Sequence, residues 1–334
     1  MCLLTLVFVG FSSGGLINFS GLDSVIYIFL ILLLGVPHGA TDHNIFLQLN
    51  NNNTSSGPSH FMLRYAALMC GYAIVWFCSP TLALAFFLII SCFHFGQSHW
   101  HQIQEGSIWK TILYLSWGGF VLGSLLLFNY HETQPIIESI IGRAASLSEF
   151  VKVVIPSIFL SVCLASMVFL WWRKHLNWKS FLLEIACLVC IGVLAKTTDL
   201  LLGFTVFFVF WHSFLSVKDQ IDQFRKLVPD YNLKTFIRQV AGFTIAAILS
   251  VGVVGYAVYD PIFSDLWIGR FFIVISIITL PHSILIDAFL EDNVIEHKYF
   301  QSVENQDTAS SVQQEPFKAT LNKKYSSYSS EKIN

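Results

Sequence analysis

Apolar runs about 17–23 residues long recur along this chain with short polar breaks between them. As helices rising about 1.5 Å per residue, such runs match the roughly 30 Å hydrocarbon core of a bilayer. They lie near residues 2–18, 24–45, 62–78, 80–99, 108–128, 151–172, 180–196, 199–216, 236–258 and 268–290. The first is short and is broken by Gly14-Gly15. It lacks the basic start and small-residue cleavage site of a signal peptide, so it counts as a weak span. The expected fold is all-α: a polytopic transmembrane helix bundle of about 8–10 spans, forming one membrane domain over residues 1–290.

Composition excludes the main alternatives. The chain is 54% apolar and only 12% charged, where soluble domains carry roughly 25% charged residues. A net charge of −2 argues against nucleic acid as a partner. All seven cysteines fall in apolar runs. Cys187 and Cys190 have C-x-x-C spacing, yet within an uninterrupted apolar helix they read as two small apolar residues rather than a redox or zinc motif. The Asn/Ser/Gly-rich stretch 50–58 reads as a flexible loop. The polar tail, residues 291–334, has too little apolar surface to fold alone and is expected to be disordered.

The basic residues set the orientation. With the spans above, Arg64, Lys110, Arg173, Lys174, Lys179 and the run from Lys218 to Arg238 share one side with the tail lysines. Arg143, Lys152, Lys196 and Arg270 fall on the other. The richer side is expected to be cytoplasmic, with both termini inside.

Four of the spans run from the outer to the inner face, and each carries a histidine about 14 residues from its start: His38, His94, His212 and His282. All four would lie roughly 20 Å into a core of about 30 Å, in its cytoplasmic third. An imidazole at that depth is costly unless something satisfies it. Four at one level point to a shared partner, and a metal ion is the simplest. Pro37 and Pro281 leave another reading open: each frees a carbonyl four residues back, which the adjacent histidine could satisfy. Asp42 comes one helical turn after His38 and is placed to orient an imidazole. Asp287 could do the same or mark the interface. His99 and His101 read as interfacial. Glu184 is intramembrane with no obvious partner. Phe93, Phe95, Phe208 and Trp211 flank the histidines and are candidate walls of a slot for a long apolar ligand, although aromatic stripes also serve as packing.

Imidazoles bind Fe(II), Zn, Cu or Ni, so the histidines alone do not fix the metal. A transporter would more often show paired intramembrane charges and an inverted repeat, and a haem would engage only two of the four histidines.

Pro37-His38-Gly39 with Asp42, His94-Phe95-Gly96, Trp211-His212-Ser213 and Pro281-His282, in this order, resemble the Brp/Blh family of polytopic prokaryotic membrane proteins. The resemblance extends to about residue 290. It implies a β-carotene 15,15′-dioxygenase that uses ferrous iron, Fe(2+), and O2 to split the central double bond into two retinal molecules, which typically supply a microbial rhodopsin. It also implies a prokaryotic cell membrane location and iron ligation by His38, His94 and His212. The family carries a further histidine one turn after the third of these; here Ser216 stands in that place, and His282 is the candidate to complete the set. The alternative is a catalytically altered relative that binds carotenoid or retinal.

Overall fold

The computed structural model describes residues 23–42, 58–103, 108–227, 230–257 and 268–287, together with Cys2, Thr5, Val9, Gly10 and Ile45. The expected loop 50–58, apart from Pro58, which begins a helix, the tail 291–334 and most of the first span lie outside the described residues.

Every regular element among the described residues is helical. The first described segment is composite: α1 (Asp23–Leu30) passes into a π-helical turn, π1 (Ile31–Gly35), and then α2 (Val36–Gly39). The cause of the wide turn is local. Pro37 has no N–H to donate, and its ring displaces the carbonyl one turn back, so the ladder loosens before it. Then come α3 (Pro58–Cys78), α4 (Pro80–Trp100), α5 (Ile108–Phe128), α6 (Tyr130–Ile141), α7 (Glu149–Trp172) and α8 (Trp178–Thr197). A second composite helix is built from α9 (Leu200–Val206), π2 (Phe207–Ser213) and α10 (Phe214–Leu227). The bundle closes with α11 (Leu233–Ala257) and α12 (Ile268–Asp287).

Seven of the described helices are long and apolar enough to cross a membrane. Leu63, Ile74, Phe77 and Ile89 project outward from α3 and α4, an apolar surface that suits lipid and not water. α6 is an element the apolar runs do not announce: it is a short amphipathic helix in what reads as a loop, capped at its end by Gly142 in the left-handed conformation (φ 75°).

The bundle is organised on α5, whose Leu113, Trp117, Val121 and Leu125 are almost wholly buried. Glycine is what lets its neighbours approach. A Cβ on Gly118 would stand 1.9 Å from the Cys92 carbonyl oxygen, and one on Gly96 would stand 2.0 Å from that of Tyr114. α4 and α5 therefore meet backbone to backbone, which is how helices gain packing where lipid offers no hydrophobic driving force. On the other side, Gly119 receives the ring of Phe159 from α7. Asn177 and Asp199 cap α8 and α9 by accepting from Ser180 N and Leu202 N at 2.9 and 2.8 Å. Cys187 and Cys190 are buried in the core, as small apolar residues would be.

Candidate metal centre and its cavity

Each helix delivers its histidine by a different device. On α4, the glycine contact at Gly96 lies two residues after His94, and the one at Cys92 two residues before it. The height of His94 against α5 is thereby fixed. His212 lies within π2, where the N–H of Phe214 reaches back five residues to the Val209 carbonyl. A π turn holds one residue more than an α turn and so re-aims the side chains beyond it, and such turns gather at functional sites. π1 and π2 face each other: a Cβ on Gly35 would meet the Phe208 ring at 2.4 Å, so any larger residue would have to displace that ring.

Three of the four expected imidazoles converge. The ring centre of His94 lies 5.0 Å from that of His212 and 5.1 Å from that of His282, with the planes near perpendicular at 74° and 76°. All three are buried, at 3%, 3% and 5% exposure. Two imidazoles bound to one ion by nitrogens about 2.0–2.1 Å from it, at angles of about 90–110°, would have ring centres about 4.6–5.3 Å apart. Both observed spacings fall in that interval. Among the described residues no group of three or more His, Cys, Asp or Glu side chains is gathered so as to hold a metal ion; what the rings show is a pairwise spacing around His94. The side chain of His38 lies outside the described residues. Its backbone belongs to α2, and the next residue, Gly39, abuts the His282 ring, where a Cβ would stand 3.8 Å from Nδ1.

Asp42 holds His282. Its Oδ1 lies 2.7 Å from Nδ1 of that ring, and its Oδ2 accepts from the Tyr65 hydroxyl at 2.8 Å. A carboxylate on Nδ1 fixes the tautomer with the proton there and makes Nε2 the lone-pair nitrogen. Sequence reasoning misses Tyr65; a hydroxyl within an apolar span is the one available signal. Asp287, which the sequence places either on an imidazole or at the interface, is the last residue of α12 and accepts from Gln97 Nε2 at 2.5 Å. Glu184 has a partner: His99 Nε2 lies 2.7 Å from Glu184 Oε2, and the ring stacks on Trp117 at 4.2 Å and 13°. The two side chains are 11% and 14% exposed, and a carboxylate and an imidazole so shielded each cost less as a pair than alone.

A cavity of about 840 Å³ opens beside these rings, and His94, His212 and His282 all contribute to its lining. Phe95 and Phe208 also line it, with ring centres 4.8 and 5.4 Å from that of His212. The other two aromatic candidates turn away. Phe93 packs edge-on against Tyr114 at 5.6 Å, and Trp211 donates from Nε1 to Thr5 Oγ1 at 2.8 Å. Neither lines the cavity. Ser216, half-buried on α10, is not among the lining residues either.

No solved structure matches this chain. A β-carotene 15,15′-dioxygenase from uncultured marine bacterium 66A03 is 25% identical over 265 residues, covering 77% of this chain and 90% of that protein. A family model described as β-carotene 15,15′-dioxygenase matches residues 29–290, from the end of α1 to just beyond α12. That match takes in the composite π helices, the converging imidazoles and the cavity beside them, and the chain belongs to this family.

Proposed function

We propose that this protein cleaves the central 15,15′ double bond of β-carotene with O2, giving two molecules of retinal, at an Fe(II) held by His94, His212 and His282 with His38. The observation that carries the proposal is the set of buried imidazoles on the wall of a long apolar cavity. Iron, when bound, supplies the redox chemistry that activates O2, which zinc could not. The protein's own part is positional. Asp42, steadied by Tyr65, keeps the Nδ1 proton of His282 and sets the ring. Phe95 and Phe208 present flat apolar walls to a polyene and exclude water from the reacting bond. A substrate that partitions into lipid can reach such a site from the side, within the bilayer. The protein then belongs in a prokaryotic cell membrane with both termini cytoplasmic, and its retinal supplies a rhodopsin.

Expression in a bacterium that accumulates β-carotene tests the proposal: pigment loss with retinal formation is expected, and unchanged β-carotene beside membrane-inserted protein would refute it. Ser216, standing where the family's further histidine is expected, favours one second reading, a carotenoid- or retinal-binding relative without turnover. Pigment that copurifies uncleaved would support it.

A further inference from the structure

The end of the cavity remote from the imidazoles is floored by α6, an element that contributes nothing to the metal centre. It is pinned on three sides. Glu132 Oε2 accepts from Leu200 N of α9 at 2.9 Å. Thr133 Oγ1 donates to the Leu126 carbonyl of α5 at 2.8 Å. On α12, a Cβ on Gly269 would press on Ser139 Oγ at 2.4 Å and Ile140 at 3.0 Å. Thr133, Ile136 and Ile140 line the cavity from this floor, with His131 and Glu132 beside them.

The depth from floor to imidazoles can be read along three helices, because both ends of each stretch line the cavity: Leu84 to His94, Leu200 to His212 and Ile268 to His282. Separations of ten, twelve and fourteen residues, at about 1.5 Å each, give about 15, 18 and 21 Å. An all-trans polyene advances about 1.2 Å per carbon, so a ring and nine chain carbons reach about 15 Å, the rise of ten helical residues. The stretch from floor to imidazoles is therefore deep enough for one half of a C40 carotenoid and too short for the whole. The cavity's lining reaches the outer, apolar surface at Met62 of α3 and Phe243 of α11, which are 51% and 45% exposed.

We infer that α6 is a ruler. One ring of the substrate seats on Thr133, Ile136 and Ile140, the far half extends past Met62 and Phe243 into lipid, and the depth from floor to imidazoles selects the bond that is cut. The inference rests on the carotenoid-cleaving reading above. It makes α6, some 15–20 Å from the imidazoles by the helical rise, the determinant of cleavage position.

The chemistry makes the test legible. Central cleavage of the C40 polyene by one O2 gives two C20 aldehydes; each former alkene carbon takes one oxygen atom, and the electrons come from the broken C=C, so no outside reductant enters. Cleavage one double bond closer to the seated ring, a step of about two polyene carbons or 2.5 Å, less than two residues of helix rise, gives a C18 methyl ketone and a C22 aldehyde with the same balance. Ile136→Phe and Ile140→Phe raise the floor by about that step. In a β-carotene-accumulating host each is expected to cut the retinal share of the products at least threefold and to yield the C18 and C22 pair. A second measurement needs no iron. In chelator-stripped protein, quenching of tryptophan fluorescence is expected to show a preference for retinal over the C18 ketone in the wild type, and at least a tenfold swing toward the ketone in the variants. Variants that give retinal alone, or stripped variants with unchanged length preference, overturn the ruler. A wild type that leaves β-carotene intact would overturn the carotenoid reading, and the titration would still decide whether α6 measures ligand length.

Discussion

Gly96→Ala tests whether the α4–α5 contact sets the metal centre. The added Cβ would stand 2.0 Å from the Tyr114 carbonyl oxygen, where ordinary contact begins at 3.4 Å, so the helices must part by about 1.4 Å at this level. His94 lies two residues away on the same helix, and its ring centre is 5.0 and 5.1 Å from its two neighbours. A displacement of that size carries one or both spacings past the roughly 5.3 Å that two imidazoles on one ion allow. Overpacking of this kind costs about 1–3 kcal/mol, which a bundle of this size should survive. The larger effect falls on function, where a misplacement of about 1 Å is worth roughly a hundredfold in rate. Expected outcomes are iron content below about a tenth of the wild type, by mass spectrometry of purified protein, and retinal formation down about a hundredfold. Gly71→Ala is the control, since a Cβ there meets nothing within 4 Å. A Gly96→Ala protein with wild-type iron content and rate would refute the reasoning.

Four further outcomes are expected. His94→Ala, which removes the ring between the other two, should abolish iron binding while the protein still inserts, read by metal analysis of membranes. Tyr65→Phe loosens Asp42 by one hydrogen bond and should weaken iron retention about 10–100-fold in a chelator competition. Ser216→His tests whether a further imidazole can join the site: retained or higher turnover would show it is tolerated, and loss of iron would show that His282 already fills that position. Glu132 lies outside the spans, and burial raises its carboxyl above the ordinary value, partly offset by the Leu200 N–H it accepts. Its folded form therefore takes up a proton at higher pH than its unfolded form. The stability it contributes is present at low pH and is lost as pH rises through the raised value, so Glu132→Gln should flatten that slope in thermal melts across mildly acidic pH.

The membrane segments are legible because span length is a one-dimensional property, and the described helices match the apolar runs from residue 62 onward closely. The common level of His94, His212 and His282 is legible for the same reason: depth comes from counting residues. What counting cannot give is rotation. Successive residues turn by about 100°, and in a membrane both the lipid face and the interior are apolar, so hydropathy does not tell Phe95 from Phe93. Trp211 faces Thr5 while its neighbour His212 faces the cavity, and the π turns change the angular step on which any counting of faces relies. Glu184 and His99 lie 85 residues apart in sequence, and nothing local announces their pairing. α6 is hidden because its apolar positions are too few for a span and its interior Pro135 reads as a breaker.

The two widened turns change the meaning of a deletion in this protein. In an ordinary α-helical span, removing one residue shortens the helix by about 1.5 Å and turns everything beyond it by about 100°. Within Phe207–Ser213 the wide turn can give up its extra residue and close from π to α, so α10 keeps roughly its facing against α9. What changes is the setting of the side chains inside the turn, His212 among them, while the span remains long enough to cross. π1 is bound to the same setting, because its Gly35 is the socket for the Phe208 ring. A chain so altered would still insert and still look like its relatives by hydropathy, yet its imidazoles would no longer face one another.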